Sequence, residues 1–524
     1  MLENIKNISD IKKLNNSELS LLADDIREFL IEKVSVTGGH LASNLGVVEV
    51  TLALMKNFNF DEDKIVFDVG HQSYVYKILT GRKDKFDSLR QFKGISGFPK
   101  LSESKYDFFE TGHSSTSISA AVGMARARDL KGENHKVIAL IGDGALTGGM
   151  VYEALNDVGF NKTNMIIILN DNEMSISGNV GGLSNHLNKI RISPSYNRLK
   201  EKVHLKLDKK TKIVNSIHKF KNSLKSLVIN SSFFEDLGIR YIGPIDGHDL
   251  KELNRTFKKI KNLNGPVLVH VVTKKGQGYL PAMENPDKFH GVGPFDIETG
   301  KSKKKSGMTY SKAFGEAICN IACDDDSVVA ITAAMTDGTG LTNYKKEYKD
   351  RFFDVGIAEE HAVTLAAGMA ASGLKPVFTV YSTFLQRGFD QLIHDVCMPN
   401  LNVTLAIDRA GLVGADGETH QGVLDLSYLS MIPNMTVLVP KCMEEMEVIL
   451  RYAIDANKPI ALRYPRGGDN YKLKPLKTIE EGKWEIVSDG EKVAVIAVGK
   501  MVGYAMMAKE KCNGNPLIIY ATFV

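Results

Sequence analysis

Apolar residues come in short runs that end at glycines and polar side chains, and these runs alternate with stretches of helical spacing. Residues 137–141 and 165–169 are the clearest runs. The first ends in Gly142-Asp143-Gly144 and the second in Asn170-Asp171-Asn172. Asp143 and Asn172 stand 29 residues apart, room for one crossover helix between parallel strands. Such a unit delivers both polar tips to the carboxyl ends of neighbouring strands, where open α/β sheets bind ligands.

The same punctuation recurs. A strand over 65–69 stops at Gly70-His71-Gln72, and one over 266–273 stops at Lys274-Lys275-Gly276-Gln277-Gly278-Tyr279. Thr111 to Ser117 precedes a small-residue helix over 118–127. Leu19, Leu22, Ile26, Phe29 and Leu30 fall at helical spacing, predicting an amphipathic helix over 17–33 with Ser17 as its cap. Beyond a lysine-rich linker at 296–307, strands are predicted at 328–334, 352–356, 376–381, 403–408, 436–439 and 459–463. Two more follow at 493–498 and 516–520. The fold class is therefore α/β: two doubly wound domains, at 1–300 and 308–475, and a partial third α/β domain at 476–524. That last piece is too small to bury its own core, so it leans on the second domain or the chain is truncated. From 185 to 225 the pattern weakens and lysines accumulate, as in a surface excursion; a solvated basic loop and a phosphate-binding role both fit.

Composition changes this picture little. A length of 524 residues exceeds one core, and a net charge of +4 argues for neither nucleic acid nor membrane as a partner. Five cysteines without a CxxC pair fit a reducing, cytoplasmic setting. No apolar run resembles a signal peptide or a membrane span.

The candidate chemistry sits where strands stop. Asp143 and Asn172 are hard oxygen ligands of the kind Mg²⁺ shares with phosphates, and the adjoining glycines let backbone amides close on a diphosphate. Taken singly, each is also an ordinary turn. His40, His71 and His113 lie in strand-end or helix-start loops, and 111–117 offers donors at a helix N-terminus. Tyr279 either packs or flanks a ligand. In the second domain Glu359-Glu360-His361, Tyr381 to Phe384, Asp408-Arg409 and Arg463 to Arg466 take the corresponding positions.

The stretch from Asp143-Gly144 to Asn172 resembles the thiamine-diphosphate signature. GGHLASNLG, DVGHQSYVYKILTGR, TGHSSTSISAA, GDGALTGGM, LNDNEMSIS, YIGPIDGHD, IAEEHAVTLAAGMA, YSTFLQRGFDQ, DRAGLVGADGETHQG and RYPRG together resemble the transketolase-like, thiamine-diphosphate-dependent family over roughly residues 10 to 500. The lysine-rich excursion matches loosely, and the third domain stops short of the family's length.

The resemblance implies two thiamine-diphosphate-binding domains and a reaction of pyruvate with D-glyceraldehyde 3-phosphate. The products would be 1-deoxy-D-xylulose 5-phosphate and carbon dioxide, feeding isoprenoid, thiamine and pyridoxal phosphate synthesis. A transketolase using ketose phosphates, or an inert cofactor-binding protein, are the rival readings. By resemblance Glu359 activates the cofactor's aminopyrimidine, with Glu360 as local rival, and Phe384 stacks on that ring unless it only fills the core. Asp143, Asn172 and the Met174 carbonyl hold Mg²⁺. His71, Gly112, His113, Ser114, Gly144, Ala145, Asn172 and Tyr279 line the cofactor. His40 and His420 move protons at substrate oxygens. Arg409 and Arg466 hold the acceptor phosphate, with Tyr381, Arg387 and Asp416 in the same loops. A homodimer is implied as well.

Overall fold

The computed structural model describes residues 1–172, 182, 187, 232–303, 307–414 and 416–524. Met174 and, apart from Leu187, the segment 185–225 lie outside the described residues. The chain divides into two compact units, 1–304 and 305–524.

In the first unit β1 (Lys64–Phe67), β2 (Val137–Gly142), β3 (Ile166–Asp171), β4 (Arg240–Asp246) and β5 (Val267–Val272) form one sheet in the order β1-β2-β3-β5-β4. Every pairing is parallel, so all five carboxyl ends lie along one edge. The period of two divides the strands between layers. Ile138, Leu140, Ile166, Ile168, Val267 and Val269 enter one core, and Val137, Ala139, Ile141, Ile167, Leu169 and Leu268 the other. Burial on both faces explains why these strands read as continuous apolar runs.

The helix predicted from residue 17 runs over Asn16–Thr37, and its cap is Asn15, not Ser17. The Asn15 side chain accepts from Ser17 and Glu18 amides while Glu18 accepts from the Asn15 amide. This capping box satisfies the orphan donors two residues earlier than expected, a stabilisation of about 1 kcal/mol. Part of the predicted linker is also ordered. Asp296 accepts from the Thr299 amide (2.9 Å) and hydroxyl (2.7 Å), and Phe295 bridges to Ser302.

In the second unit β6 (Val328–Thr332), β7 (Phe352–Asp354), β8 (Lys375–Tyr381), β9 (Thr404–Asp408), β10 (Thr436–Leu438) and β11 (Ile460–Arg463) are ordered β10-β11-β9-β8-β6-β7, again all parallel. The chain reverses direction between β6 and β8, which opens a crevice at their carboxyl ends. Two cores again flank the sheet. A third, small sheet of β12 (Glu485–Ser488), β13 (Ala494–Ala497) and β14 (Leu517–Tyr520) joins its edge. The Val524 amide donates to Val437 and the Val439 amide to Thr522, and the Tyr520 hydroxyl donates to the Val439 carbonyl at 2.7 Å. Among the described residues, no helix is long and apolar enough to cross a membrane.

Candidate active site

Asp68 follows β1 and is buried. It accepts from the Ser115 amide (2.7 Å), the Ser117 amide (3.1 Å) and the Ser117 hydroxyl (2.7 Å). These bonds draw the loop bearing Gly112, His113 and Ser114 onto the sheet edge. Ser115 takes φ 69° there, and its hydroxyl donates to the Ala145 carbonyl at 2.8 Å, tying that loop to the Gly144-Ala145 turn. Gly70, at φ 84°, has no room for a side chain, because a Cβ would meet Pro99 and Thr111 at 2.3 Å.

His40 stands just before the helix Leu41–Gly46, and its amide donates to the Tyr74 hydroxyl at 3.2 Å. The Asn44 amide group donates to the carbonyls of both His40 and His71 at 2.7 Å, so one side chain locks two histidine-bearing loops. The His40 ring lies 5.5 Å from that of His71 and 5.9 Å from that of His290, and the latter two are 5.0 Å apart. Sequence reasoning missed His290. Its signal was present in Phe289-His290-Gly291-Val292-Gly293, a glycine-bearing loop like the one that marks His40.

Asp143 and Asn172 follow β2 and β3, whose register pairs Gly142 with Asn170. The Asp143 amide donates to the Asn170 carbonyl at 3.2 Å. The Thr273 hydroxyl donates to Asn170 Oδ1 at 2.8 Å and its amide to the Asp171 carbonyl, which fixes the end of β5 against β3. Lys275 comes next and is buried. Burial pushes its ammonium below the usual range, against the opposing pull of Asp143 and Asp287. Sequence alone points to Tyr279 in the Lys274 to Tyr279 stretch and not to Lys275. Tyr279 packs against Phe289 and Phe295, and its hydroxyl donates to the Ile297 carbonyl at 2.7 Å.

In the second unit Glu359 opens the helix Glu359–Ala371 and is buried, whereas Glu360 is only half-buried. Burial raises the Glu359 carboxyl to about 7, with the Arg387 charge opposing the rise. Arg387 Nη1 stands 3.6 Å from Glu359 Oε2, so this guanidinium faces the glutamate. Oε2 itself has no hydrogen-bond partner.

Around the crevice, the Phe384 ring lies 5.8 Å from that of Tyr381 and 5.5 Å from that of His420. Arg409 stacks on Tyr381, its Cζ 3.8 Å from the ring centroid, an arrangement worth about 1 kcal/mol. Arg409 takes φ 56°, and its amide donates to Asp408 Oδ1 at 2.6 Å while the Ser311 hydroxyl donates to Oδ2 at 2.6 Å. Burial raises the Asp408 carboxyl to about 6. Gly338 must be glycine here, since a Cβ would meet the Tyr381 hydroxyl at 1.8 Å. The loop carrying Asp416 and His420 is closed at its base by reciprocal Gly411–Gly422 backbone bonds of 2.7 and 2.8 Å. Arg466 reaches Asp416 at 3.5 Å. The structure thus gathers Tyr381, Phe384, Arg409 and His420, pairs Arg466 with Asp416, and pairs Arg387 with Glu359.

These residues fit the implied cofactor. A buried carboxyl raised to about 7, with one oxygen outside any hydrogen bond, is suited to share a proton with a ring nitrogen. Asp143 and Asn172 supply hard oxygens on one sheet edge beside a glycine turn, as Mg²⁺ and a diphosphate require.

Residues 2–273 match the family model described as 1-deoxy-D-xylulose-5-phosphate synthase, and residues 306–470 match the transketolase pyrimidine-binding domain. The chain is 61% identical over its whole length to a 1-deoxy-D-xylulose-5-phosphate synthase of Clostridium beijerinckii, covering 86% of that relative. It is 60% identical to one of Clostridium perfringens, with the same coverages. Among solved structures, a transketolase from Campylobacter jejuni aligns over 97% of this chain and 89% of that one, at 18% identity and a TM-score of 0.42, too low to carry an argument.

Proposed function

The chain belongs to the 1-deoxy-D-xylulose-5-phosphate synthase family, and we propose how its residues condense pyruvate with D-glyceraldehyde 3-phosphate into 1-deoxy-D-xylulose 5-phosphate and carbon dioxide. It is a thiamine-diphosphate-dependent transferase of the transketolase type, acting in isoprenoid and thiamine synthesis.

Bound thiamine diphosphate supplies the electron sink that pyruvate decarboxylation needs. The protein's part is to bind, orient and move protons. Domain 1–300 holds the diphosphate through Gly112, His113, Ser114, Gly144 and Ala145, with His71 and Tyr279 flanking it. Asp143 and Asn172, with the Met174 carbonyl, hold Mg²⁺. Domain 308–475 holds the aminopyrimidine on Phe384, and Glu359 keeps a proton at its ring nitrogen. The domain at 476–524 braces the second sheet.

His40 and His420 move protons at substrate oxygens, a role imidazole side chains can fill. Arg409 and Arg466 clamp the acceptor phosphate, with Tyr381 and Asp416 setting their posture and Arg387 tempering the Glu359 charge. The working form is a homodimer. Its support is a half-exposed apolar patch, where Leu365 and Met369 of the helix Glu359–Ala371 and Leu374 just beyond it line a hollow of roughly 390 Å³. Five free cysteines fit a cytoplasmic setting.

The observation that carries this reading is the buried Glu359 carboxyl, faced by Arg387 at 3.6 Å but with no hydrogen bond to Oε2, beside an aromatic and arginine-lined crevice. Purified protein given thiamine diphosphate, Mg²⁺, pyruvate and D-glyceraldehyde 3-phosphate is expected to release carbon dioxide stoichiometrically with pentulose phosphate. Turnover of ketose phosphates without carbon dioxide release would favour the transketolase reading instead.

A further inference from the structure

The Asp246-Gly247-His248-Asp249 motif ends β4 and takes no part in the site described above. Each of its residues has a local task. Asp246 Oδ1 accepts from the His248 amide at 2.9 Å, forming the turn. The Gly247 amide donates to the Val272 carbonyl at 2.8 Å, and a Cβ there would meet Thr273 at 2.4 Å, so only glycine lets the turn lie against the end of β5. Asp249 caps the helix Leu250–Ile260 by accepting from the Lys251 and Glu252 amides. The result holds the His248 imidazole over the loop 274–279.

That imidazole works in both directions. The Lys274 amide donates to His248 Nε2 at 2.9 Å, which leaves the ring proton on Nδ1. Nδ1 then donates to Glu49 Oε2 at 3.0 Å. The other Glu49 oxygen takes Arg27 Nη2 at 2.5 Å, and Arg27 Nε donates to the Gln277 carbonyl at 3.1 Å. The chain of three side chains therefore begins and ends on the same loop. Burial pushes the Glu49 carboxyl up, and the His248 hydrogen bond with the Arg27 charge more than offsets it. The loop is pinned again by the Gly276 amide on the Ala42 carbonyl at 2.9 Å. Neither Gly276 nor Gly278 could carry a side chain, since a Cβ would meet Ala282 at 2.5 Å or Arg27 at 2.7 Å.

Setting the buried Arg27 and Glu49 against a half-buried histidine is a poor way to gain stability, because desolvation of the charges offsets most of their attraction. It does fix geometry. We propose that His248, steadied by Glu49 and Arg27, is a positioning residue that sets where the loop 274–279 presents Lys275 and Tyr279 to the cofactor. This rests on the reading of that loop as cofactor-binding.

The test compares His248→Phe, His248→Gln and Lys275→Met. His248→Phe is expected to raise the thiamine diphosphate concentration for half-maximal activity about 10-fold, with kcat at saturating cofactor within about twofold of wild type. His248→Gln, whose Oε1 can accept the Lys274 amide, is expected to restore most of that affinity. In cofactor-free protein, hydrogen exchange of the 274–279 amides is expected to speed up in His248→Phe and not in His248→Gln. The inference is overturned if His248→Phe keeps wild-type half-saturation and wild-type loop exchange while Lys275→Met weakens cofactor binding. If Lys275→Met leaves cofactor binding unchanged, the cofactor reading of the loop falls first and the inference with it.

Discussion

Two buried carboxylates, Asp68 in the first unit and Glu359 in the second, sit at the carboxyl edges of their sheets, each with 1% exposure. Asp68 accepts two backbone amides and a hydroxyl. Glu359 keeps one oxygen without a hydrogen bond, faced only by the Arg387 guanidinium at 3.6 Å, and is raised to about 7. Equal burial thus yields opposite chemistry. A satisfied carboxylate is an anchor that shapes a binding loop, whereas an unsatisfied one is a proton holder stored at the edge of its working range.

Exchanging the two acids' fates is the sharpest way to break this contrast. Glu359→Gln is expected to lower turnover about 10³-fold with cofactor affinity close to wild type, read by steady-state kinetics and calorimetry. The same residue has a signature in stability. Its folded value of about 7 lies above the ordinary 4.5, so the folded state binds the extra proton between those values and loses stability as pH rises through them. The loss is on the order of 3 kcal/mol. Melting curves should therefore show Glu359→Gln gaining on wild type from pH 5 to pH 8, with the gain gone below pH 4.5.

Smaller effects separate the groups around each acid. Arg409→Ala is expected to raise the KM for D-glyceraldehyde 3-phosphate about 30-fold and the KM for pyruvate less than twofold, as loss of a charge-assisted clamp would. Equal rises would place Arg409 outside the phosphate site. Asp68→Ala is expected to cost about 2 kcal/mol in denaturant unfolding, while the pH dependence of kcat stays that of wild type. A shifted kcat profile would make Asp68 a participant rather than an anchor.

Much of this is legible in the sequence. Apolar runs that end at polar residues mark strands, most clearly where both faces are buried, and twelve of the fourteen strands among the described residues fall at such runs. The other two lack that pattern for physical reasons. β4 carries Gly243-Pro244 at a sheet edge, with a register shift between Ile242 and Ile245, and β12 is a half-exposed antiparallel strand. Strand ends mark candidate sites because polar residues collect there, but position alone does not rank Glu359 above Glu360. That distinction needs the start of the helix, which turns one side chain inward and leaves its neighbour half in water. Lys275 and His248 share a different difficulty. Their partners lie far off in the chain, as with Glu49 and His248, and such pairings leave no local spacing to read.

Deuterium exchange at C2 of bound thiamine diphosphate, followed by NMR after acid quench, tests the role of Glu359 most directly. The account expects rapid exchange in the wild-type protein and exchange slowed at least about 10²-fold in Glu359→Gln with the cofactor still bound. Equal exchange in the two proteins would contradict it.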